Sequence, residues 1–308
     1  MKPINVPPEV SVVICTRNRR ALLAEAVASV QEQTGVQWEM LVVDDASTDD
    51  THAFLDKLQT QNIRCFRQRR HSERSAARNL GLAHSYGEFV MFLDDDDLLH
   101  PGALAVLKTA LDNNPDAVAA VGARRDRFCD RRYERRDSHP HFARKRNIFD
   151  ELLFGWSAVS GQNLYRTDIV RSAGGYADAV IPCEDRDLWL RVARLGPVML
   201  CPETVMTYRI HHGGQWRPDN LLQLRESVAR SAIRRLPKEK RRRGLLLRKC
   251  TRLIGQSEGA LSRGRFVSAL WFTLRAVVTA PGLFTSPLIG PWVLRRMAGR
   301  AYHWLHGR

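Results

Sequence analysis

Short, β-branched apolar runs alternate with amphipathic stretches through the first 120 residues of the chain. Residues 10–14 (VSVVI) are continuously apolar but for one serine, the pattern of a strand buried on both faces. In residues 20–33, Leu22, Leu23, Ala26, Val27 and Val30 recur at helical spacing. Residues 38–43 (WEMLVV) predict a second strand that ends at Asp44-Asp45-Ala46-Ser47. Ser47 or Thr48 then stands where a helix N-cap belongs, with Asp49 and Asp50 in the first turn, where the helix dipole favours acids. A third strand over 63–66, a helix over 75–86 and a fourth strand over 88–93 follow, the last running into Asp94-Asp95-Asp96-Asp97. Pro101 opens a helix to Leu111, and residues 117–121 predict a fifth strand.

Such alternation defines an α/β fold: a mostly parallel, Rossmann-like sheet flanked by helices. Ligands bind these sheets beyond the carboxyl ends of the strands, and both acidic clusters fall at those ends. Residues 124–146 break the pattern with ten basic residues among 23, which predicts an exposed loop. Beyond it, residues 161–165 predict a strand, 184–195 an amphipathic helix and 197–210 one or two short strands, with no internal repeat.

Charge divides the chain in two. Residues 225–308 hold 19 Lys+Arg against 3 Asp+Glu, whereas the first 224 hold 29 against 30, so the net +15 belongs to the tail. The expected organisation is a domain over 1–224, with halves at about 8–122 and about 148–215, and a basic helical extension over 225–308. The six cysteines (Cys15, Cys65, Cys129, Cys183, Cys201, Cys250) show no CxxC spacing and read as reduced thiols. The first residues, MKPINVPPEVSVVIC, lack the basic and apolar segments of a signal peptide, so the expected location is the cytosol or the cytoplasmic face of the inner membrane.

Four consecutive aspartates repel one another and raise each other's pKa unless a cation or hydrogen bonds compensate. Asp97 or Asp96 could cap the helix after Pro101, but Asp94 emerges straight from a buried strand. Hard oxygen ligands there suit Mg²⁺ or Mn²⁺ holding a diphosphate. One of Asp44 and Asp45 can cap the next helix, leaving the other to accept hydrogen bonds from a ribose or a base.

The segments VSVVICTRNR (10–19), VVDDASTDDT (42–51), SAARNLGLAHSYGEFVMFLDDDD (75–97) and EDRDLWLRV (184–192) together resemble the family-2 glycosyltransferases of the GT-A fold. That resemblance implies an inverting, metal-dependent transfer from a nucleotide-diphosphate sugar, UDP favoured, to a glycan or lipid-linked acceptor, as in bacterial envelope polysaccharide or lipopolysaccharide synthesis. It implies that Asp45 contacts the donor base, with Thr16, Asn18 and Asp44 around that pocket and Ser75 and Arg78 facing the nucleotide. Asp94-x-Asp96 would be the DXD motif, with Asp96 the principal metal ligand, Asp94 near ribose and metal, Asp95 replacing a small residue and Asp97 the helix cap. Glu184-Asp185 matches the ED motif, whose second acid is the general base; for Asp185 and Asp187 the alternative is first-turn dipole complementation. A histidine after a Tyr-Arg-x segment (Tyr208, Arg209, Ile210) implies a metal or diphosphate contact for His211, with His212 beside it. Cys15 stands where the family commonly has proline. Trp156, Gln162 and Asn163 lie where acceptor recognition is expected, and they equally suit core packing. A nucleotidyltransferase would leave the ED pair without a task, and a non-catalytic nucleotide- or glycan-binding module would not need both Asp96 and Asp185.

In the tail, the run Lys238-Glu239-Lys240-Arg241-Arg242-Arg243 precedes a stretch rich in Trp, Phe, Leu and Val. Residues 276–294 are uncharged for 19 positions, but Pro281, Pro287 and Pro291 oppose one spanning helix. The composition suits shallow docking on an anionic membrane, or else packing and oligomerisation. No recognition motif accompanies the charge, so nucleic acid is not expected as a partner.

Overall fold

The computed structural model describes residues 7–128, 133–136, 144–211, 220–261, 263–284 and 293. Cys129, His212, Pro287 and Pro291 lie outside them. In chain order the elements begin with β1 (Val10–Thr16), α1 (Arg20–Gln31), β2 (Trp38–Asp44), α2 (Thr51–Leu58), β3 (Ile63–Arg67), α3 (Glu73–His84) and β4 (Phe89–Asp94). There follow β5 (Leu98–Leu99), α4 (Ala103–Asp112), β6 (Ala119–Phe128), β7 (Tyr133–Arg136), β8 (Arg144–Arg146), α5 (Phe149–Phe154), β9 (Asn163–Arg166) and α6 (Thr167–Ser172). The last are α7 (Glu184–Val192), β10 (Val198–Ile210), α8 (Leu221–Arg234), α9 (Lys238–Leu261), α10 (Phe266–Thr279) and α11 (Pro281–Phe284).

Two compact units emerge: Met1–Arg146 with Ala158–Leu224, and Asn147–Ser157 with Arg225–Arg308. The second therefore takes in residues 148–157, which the sequence assigned to the 148–215 half of the first domain.

In the first unit the described strands form one sheet in the order β3-β2-β1-β4-β9-β6-β10-β5, with β7 on β6 and β8 on β10. β3, β2, β1 and β4 are parallel, so their carboxyl ends share one edge of the fold. Residues 10 to 14 are fully buried, as a strand covered on both faces must be. α3 lies tight on β1: a Cβ added to Gly81 would come within 2.3 Å of Val13 Cγ1, so only glycine permits this approach. That closeness fixes where Arg78, one turn earlier on α3, projects.

Several expectations change. Residues 124–146 are not a loop throughout: β6 runs on to Phe128 against β10, β7 pairs back on β6, and β8 pairs with β10. The cause is non-local, since the 13-residue β10 supplies the backbone partners and an arginine on such a strand can keep its charge in water. α2 starts later than read, after Asp50, and neither Ser47 nor Thr48 caps it; the Asp49 carboxylate accepts the Thr51 N–H instead. α4 starts at Ala103 behind Gly102, so Asp97 is not its cap.

In the second unit, α5 packs on α9, where Arg248 donates to the Leu153 carbonyl and Thr251 to that of Phe154. α9 and α10 meet through Ser257, whose hydroxyl donates to the Ala269 carbonyl, and Cys250, which lies against Ala276. α10 turns Val267, Leu270, Trp271, Leu274 and Val278 outward, all at least half exposed. It breaks at Ala280, ahead of Pro281, and no helix among the described residues is long and apolar enough to cross a membrane. The described cysteines Cys15, Cys65, Cys183, Cys201 and Cys250 are free thiols.

Candidate active site

The carboxyl ends of β1, β2 and β4 open onto a cavity of about 360 Å³ in the first unit. Thr16, Asp45, Arg78, Asp94, Asp95 and Asp96 line it, together with Arg19, His71, Arg74, Tyr208 and Arg209. Three non-glycine residues on its surrounding loops hold left-handed backbone: Asn18 (φ 54°), Ala46 (φ 59°) and Glu73 (φ 68°). Such strain persists only where the surroundings impose it, and here it falls in the loops after β1 and β2 and at the start of α3.

The four aspartates after β4 have four different surroundings. Asp94 accepts a hydrogen bond from Arg78 Nη2 at 2.6 Å. Asp95 turns back to β1, accepting from Thr16 Oγ1 at 2.7 Å and Arg19 Nη1 at 3.1 Å. Asp96 faces Arg19 Nη1 at 2.8 Å and His211 Nε2 at 3.2 Å. Asp97 is fully buried; its Oδ1 accepts the Arg209 N–H at 2.9 Å, and its Oδ2 has no hydrogen-bond partner among the described residues. Burial, with the charges of Asp94 and Asp96, holds the Asp97 carboxyl well above the usual range. Carboxylate oxygens of Asp94, Asp96 and Asp97 gather within 4.8 Å of one another. A buried carboxylate with an unused oxygen, beside two more hard oxygen donors, fits Mg²⁺ or Mn²⁺. Asp97 thus joins the acidic cluster where the sequence made it a cap.

Burial pushes the Asp95 carboxyl up to about 6, against the opposing pull of Arg19 and Thr16. A group raised from its ordinary 3.8 binds its proton more tightly in the folded chain than in the unfolded one. The resulting penalty is absent below about pH 4, grows through the interval and is complete above about pH 6, at up to about 3 kcal/mol. Asp95→Asn removes the charge and keeps an acceptor for Thr16. Its denaturation midpoint should therefore gain on wild type between about pH 4 and 6 and hold a constant lead above. A lead independent of pH would show that Asp95 ionises normally.

Asp45 ends β2. Its Oδ2 meets His71 Nδ1 at 2.6 Å, and its Oδ1 accepts the Ser72 N–H at 2.7 Å. Behind it, fully buried Asp44 accepts the Ser47 N–H at 2.9 Å and shapes that turn. Asn18 is drawn into the same loop: its side chain accepts from Thr48 and its N–H donates to Ser47 Oγ. It braces the loop and does not line the cavity, contrary to expectation. Ser75 is likewise fully buried and donates to the Ala177 carbonyl at 3.4 Å, outside the cavity wall.

Arg78 ties the two acidic motifs together. While Nη2 holds Asp94, Nη1 reaches Asp185 Oδ1 at 3.1 Å and Glu184 Oε1 at 3.3 Å. The guanidinium lies 4.9 Å over the Tyr176 ring. Burial opposes its charge, but Asp185 and Asp94 outweigh burial and raise its pKa well above the usual value. Burial, followed by the charge of Asp185, raises Glu184, whose Oε2 is unpaired among the described residues. Asp185 remains about one-third exposed, at the first turn of α7. Asp187 instead pairs with Arg191 one turn along the helix, as dipole and i,i+4 pairing predict.

Trp156, Gln162 and Asn163 do not line this cavity. Gln162 accepts from the Val159 N–H and Arg124 and donates to the Gly122 carbonyl, and Asn163 donates to the Val159 carbonyl. Both are buried and brace their own loop. Trp156 is buried within the second unit. Arg19, His71 and Arg209 were missed. Arg19 stands inside the TRNR segment, but nothing in spacing says that it turns toward residues 76 and 77 positions away.

Among solved structures, S. aureus TarS 1–349 in complex with UDP-GlcNAc matches with a TM-score of 0.68 at 16% identity, covering 97% of this chain and 92% of that one. A mannosyltransferase, PcManGT from Pyrobaculum calidifontis, in complex with GDP-Man and Mn²⁺, matches at 0.58 and 17% identity, covering 98% and 88%. The fold is therefore that of the GT-A glycosyltransferases. The model of glycosyl transferase family 2 matches residues 11–172, just over half of the chain, and the chain belongs to that family. Relatives include a GalNAc(5)-diNAcBac-PP-undecaprenol beta-1,3-glucosyltransferase of Campylobacter jejuni, 41% identical over 32% of this chain and 33% of its own length. A putative colanic acid biosynthesis glycosyl transferase, WcaA of Escherichia coli, is 27% identical over 67% and 74%. A protein of Sinorhizobium fredii is 29% identical over 67% of this chain but only 21% of its own length, so the chain spans a fifth to a third of some relatives.

Proposed function

We propose that the chain transfers a sugar, with inversion, from a nucleotide-diphosphate sugar to a glycan or lipid-linked acceptor in envelope polysaccharide synthesis. One observation carries this reading: Arg78 joins Asp94, at the end of β4, to Asp185, at the start of α7, beside the cavity that Asp45 also lines. An acid for the base and hard oxygens for the diphosphate thus line one space, and Arg78 in its wall holds a carboxylate for the acceptor hydroxyl. Asp45 keeps lone pairs for a base N–H while Ser72 and His71 fix its plane. Asp94, Asp96 and Asp97, with His211 beside Asp96, would hold a divalent cation. When bound, such a cation neutralises the charge of the departing diphosphate. Asp185 takes the proton of the attacking hydroxyl as general base. The second unit, with its cationic charge and the outward apolar face of α10, supports a peripheral position on an anionic membrane, where a lipid-linked acceptor is found.

Calorimetric titration with UDP, dTDP and GDP, each with and without Mn²⁺, tests the donor half. UDP should bind at least tenfold more tightly with Mn²⁺, and Asp96→Asn should remove that gain. Equal affinity with and without the metal would exclude the metal-assisted reading.

A further inference from the structure

Within the second unit, α8 and α9 enclose a groove of about 610 Å³ that the reaction does not use. Seven cations line it, from Arg230 and Arg234 on α8 to Arg241, Arg242, Arg248, Lys249 and Arg252 on α9, against one acid, Glu226. Glu226 is already committed: it pairs with Arg248, with Arg230 at 3.3 Å and with Arg252 at 3.6 Å. Burial works to raise its carboxyl, but the hydrogen bonds and charge of these arginines hold it below the usual range. Arg248 is itself buried and oriented, donating to the Leu153 carbonyl at 2.8 Å. Arg234, Arg242 and Lys249 are exposed and make no ion pair among the described residues, so their charge is available.

The walls of the groove are almost wholly carbon. Arginine stems, Ile233, Leu245 and Leu246 supply them, and the two leucines are 58% and 39% exposed. A cationic rim over an apolar wall is the complement of an amphiphile, a phosphate attached to a glycerol and acyl chains. A free phosphate or nucleotide would leave that wall wet. We propose that the α8–α9 groove is a headgroup site for anionic phospholipid, seating the phosphate against Arg234, Arg242 and Lys249 and the lipid's apolar part against Leu245 and Leu246. The proposal rests on the membrane-facing reading of the second unit and adds to it a discrete, saturable site in place of diffuse attraction.

Flotation of the full chain with phosphatidylcholine vesicles, with and without phosphatidylglycerol, tests it. Wild type should bind only the anionic vesicles. Arg234→Gln, Arg242→Gln and Lys249→Gln together should weaken that binding about a hundredfold, as three surface cations can. A charge-matched control, Arg225→Gln, Lys240→Gln and Arg263→Gln, lies outside the groove in the same unit and should cost less than tenfold. Leu245→Ser should weaken binding further in the wild-type background. Metal-dependent UDP binding should be unchanged in both triple variants, which separates this site from the donor reading. Equal losses from the two triples would reduce the attraction to net charge and overturn the site. Failure of wild type to bind anionic vesicles would overturn the membrane reading with it. Inorganic pyrophosphate or an RNA oligonucleotide titrating the groove more tightly than the vesicles would assign it to another ligand.

Discussion

Asp185→Asn should lower sugar transfer on the order of a thousandfold while leaving UDP affinity within about twofold, because a general base contributes about 10²–10⁴. The amide is isosteric with the carboxylate and still presents an oxygen to Arg78, 3.1 Å away, so the ion network loses one charge but keeps its geometry. What it cannot do is accept a proton. The measurement is UDP release from a UDP-sugar panel in the presence of bacterial lipid extract, set beside calorimetric UDP binding. Turnover within tenfold of wild type would place the base elsewhere, with Glu184 a poor second choice: it is 1% exposed and already faces Arg78 and Arg74.

Arg78→Met should be the most damaging single change to the folded state, at about 3–5 kcal/mol. Methionine fills much of the volume but leaves Asp94, Glu184 and Asp185 without the cation that reaches all three. Removing one partner of a buried ionic network costs more than the network contributes, because desolvated charge is left behind. Arg78→Lys separates charge from geometry. It restores one positive charge but lacks the planar fork that serves Asp94 with one nitrogen and Asp185 with the other. Chemical denaturation should rank wild type above lysine and lysine above methionine, and Mn²⁺-dependent UDP binding should follow the same order. A methionine variant as stable as wild type would mean that the acids are satisfied without Arg78.

Much of the catalytic half was legible. The strand-helix alternation, the acidic strand ends and the motifs carrying Asp45, Asp94, Asp96 and Asp185 are local patterns, and the structure gathers Asp45, Asp94 and Asp96 around one cavity. The structure departs from expectation where a side chain meets a partner that residue type and spacing do not announce. Asn18 and Ser75 sit in the right segments but turn to Thr48 and Ala177. Gln162 and Asn163 suggested sugar recognition by residue type, yet their amides close a loop against Gly122 and Val159. Asp97 looked like a cap because a proline follows, but Arg209, 112 positions away, claims its Oδ1. The basic stretch 124–146 was read as loop because strand pairing leaves no mark on a sequence whose partner strand lies some 80 residues on.

By itself the sequence determined the elements and the chemistry available at their ends, because apolar periodicity and acid clusters act over a few residues. It also determined the charge division, which is a matter of counting. The tertiary structure decided which carboxylate meets which cation: Arg19 against Asp95 and Asp96, and Arg78 between Asp94 and Asp185. It also decided that seven cations of the tail converge on one carbon-walled groove. These pairings depend on crossing distances set by the sheet and by helix packing, and Coulomb and desolvation energies are fixed by distance and burial, not by position along the chain.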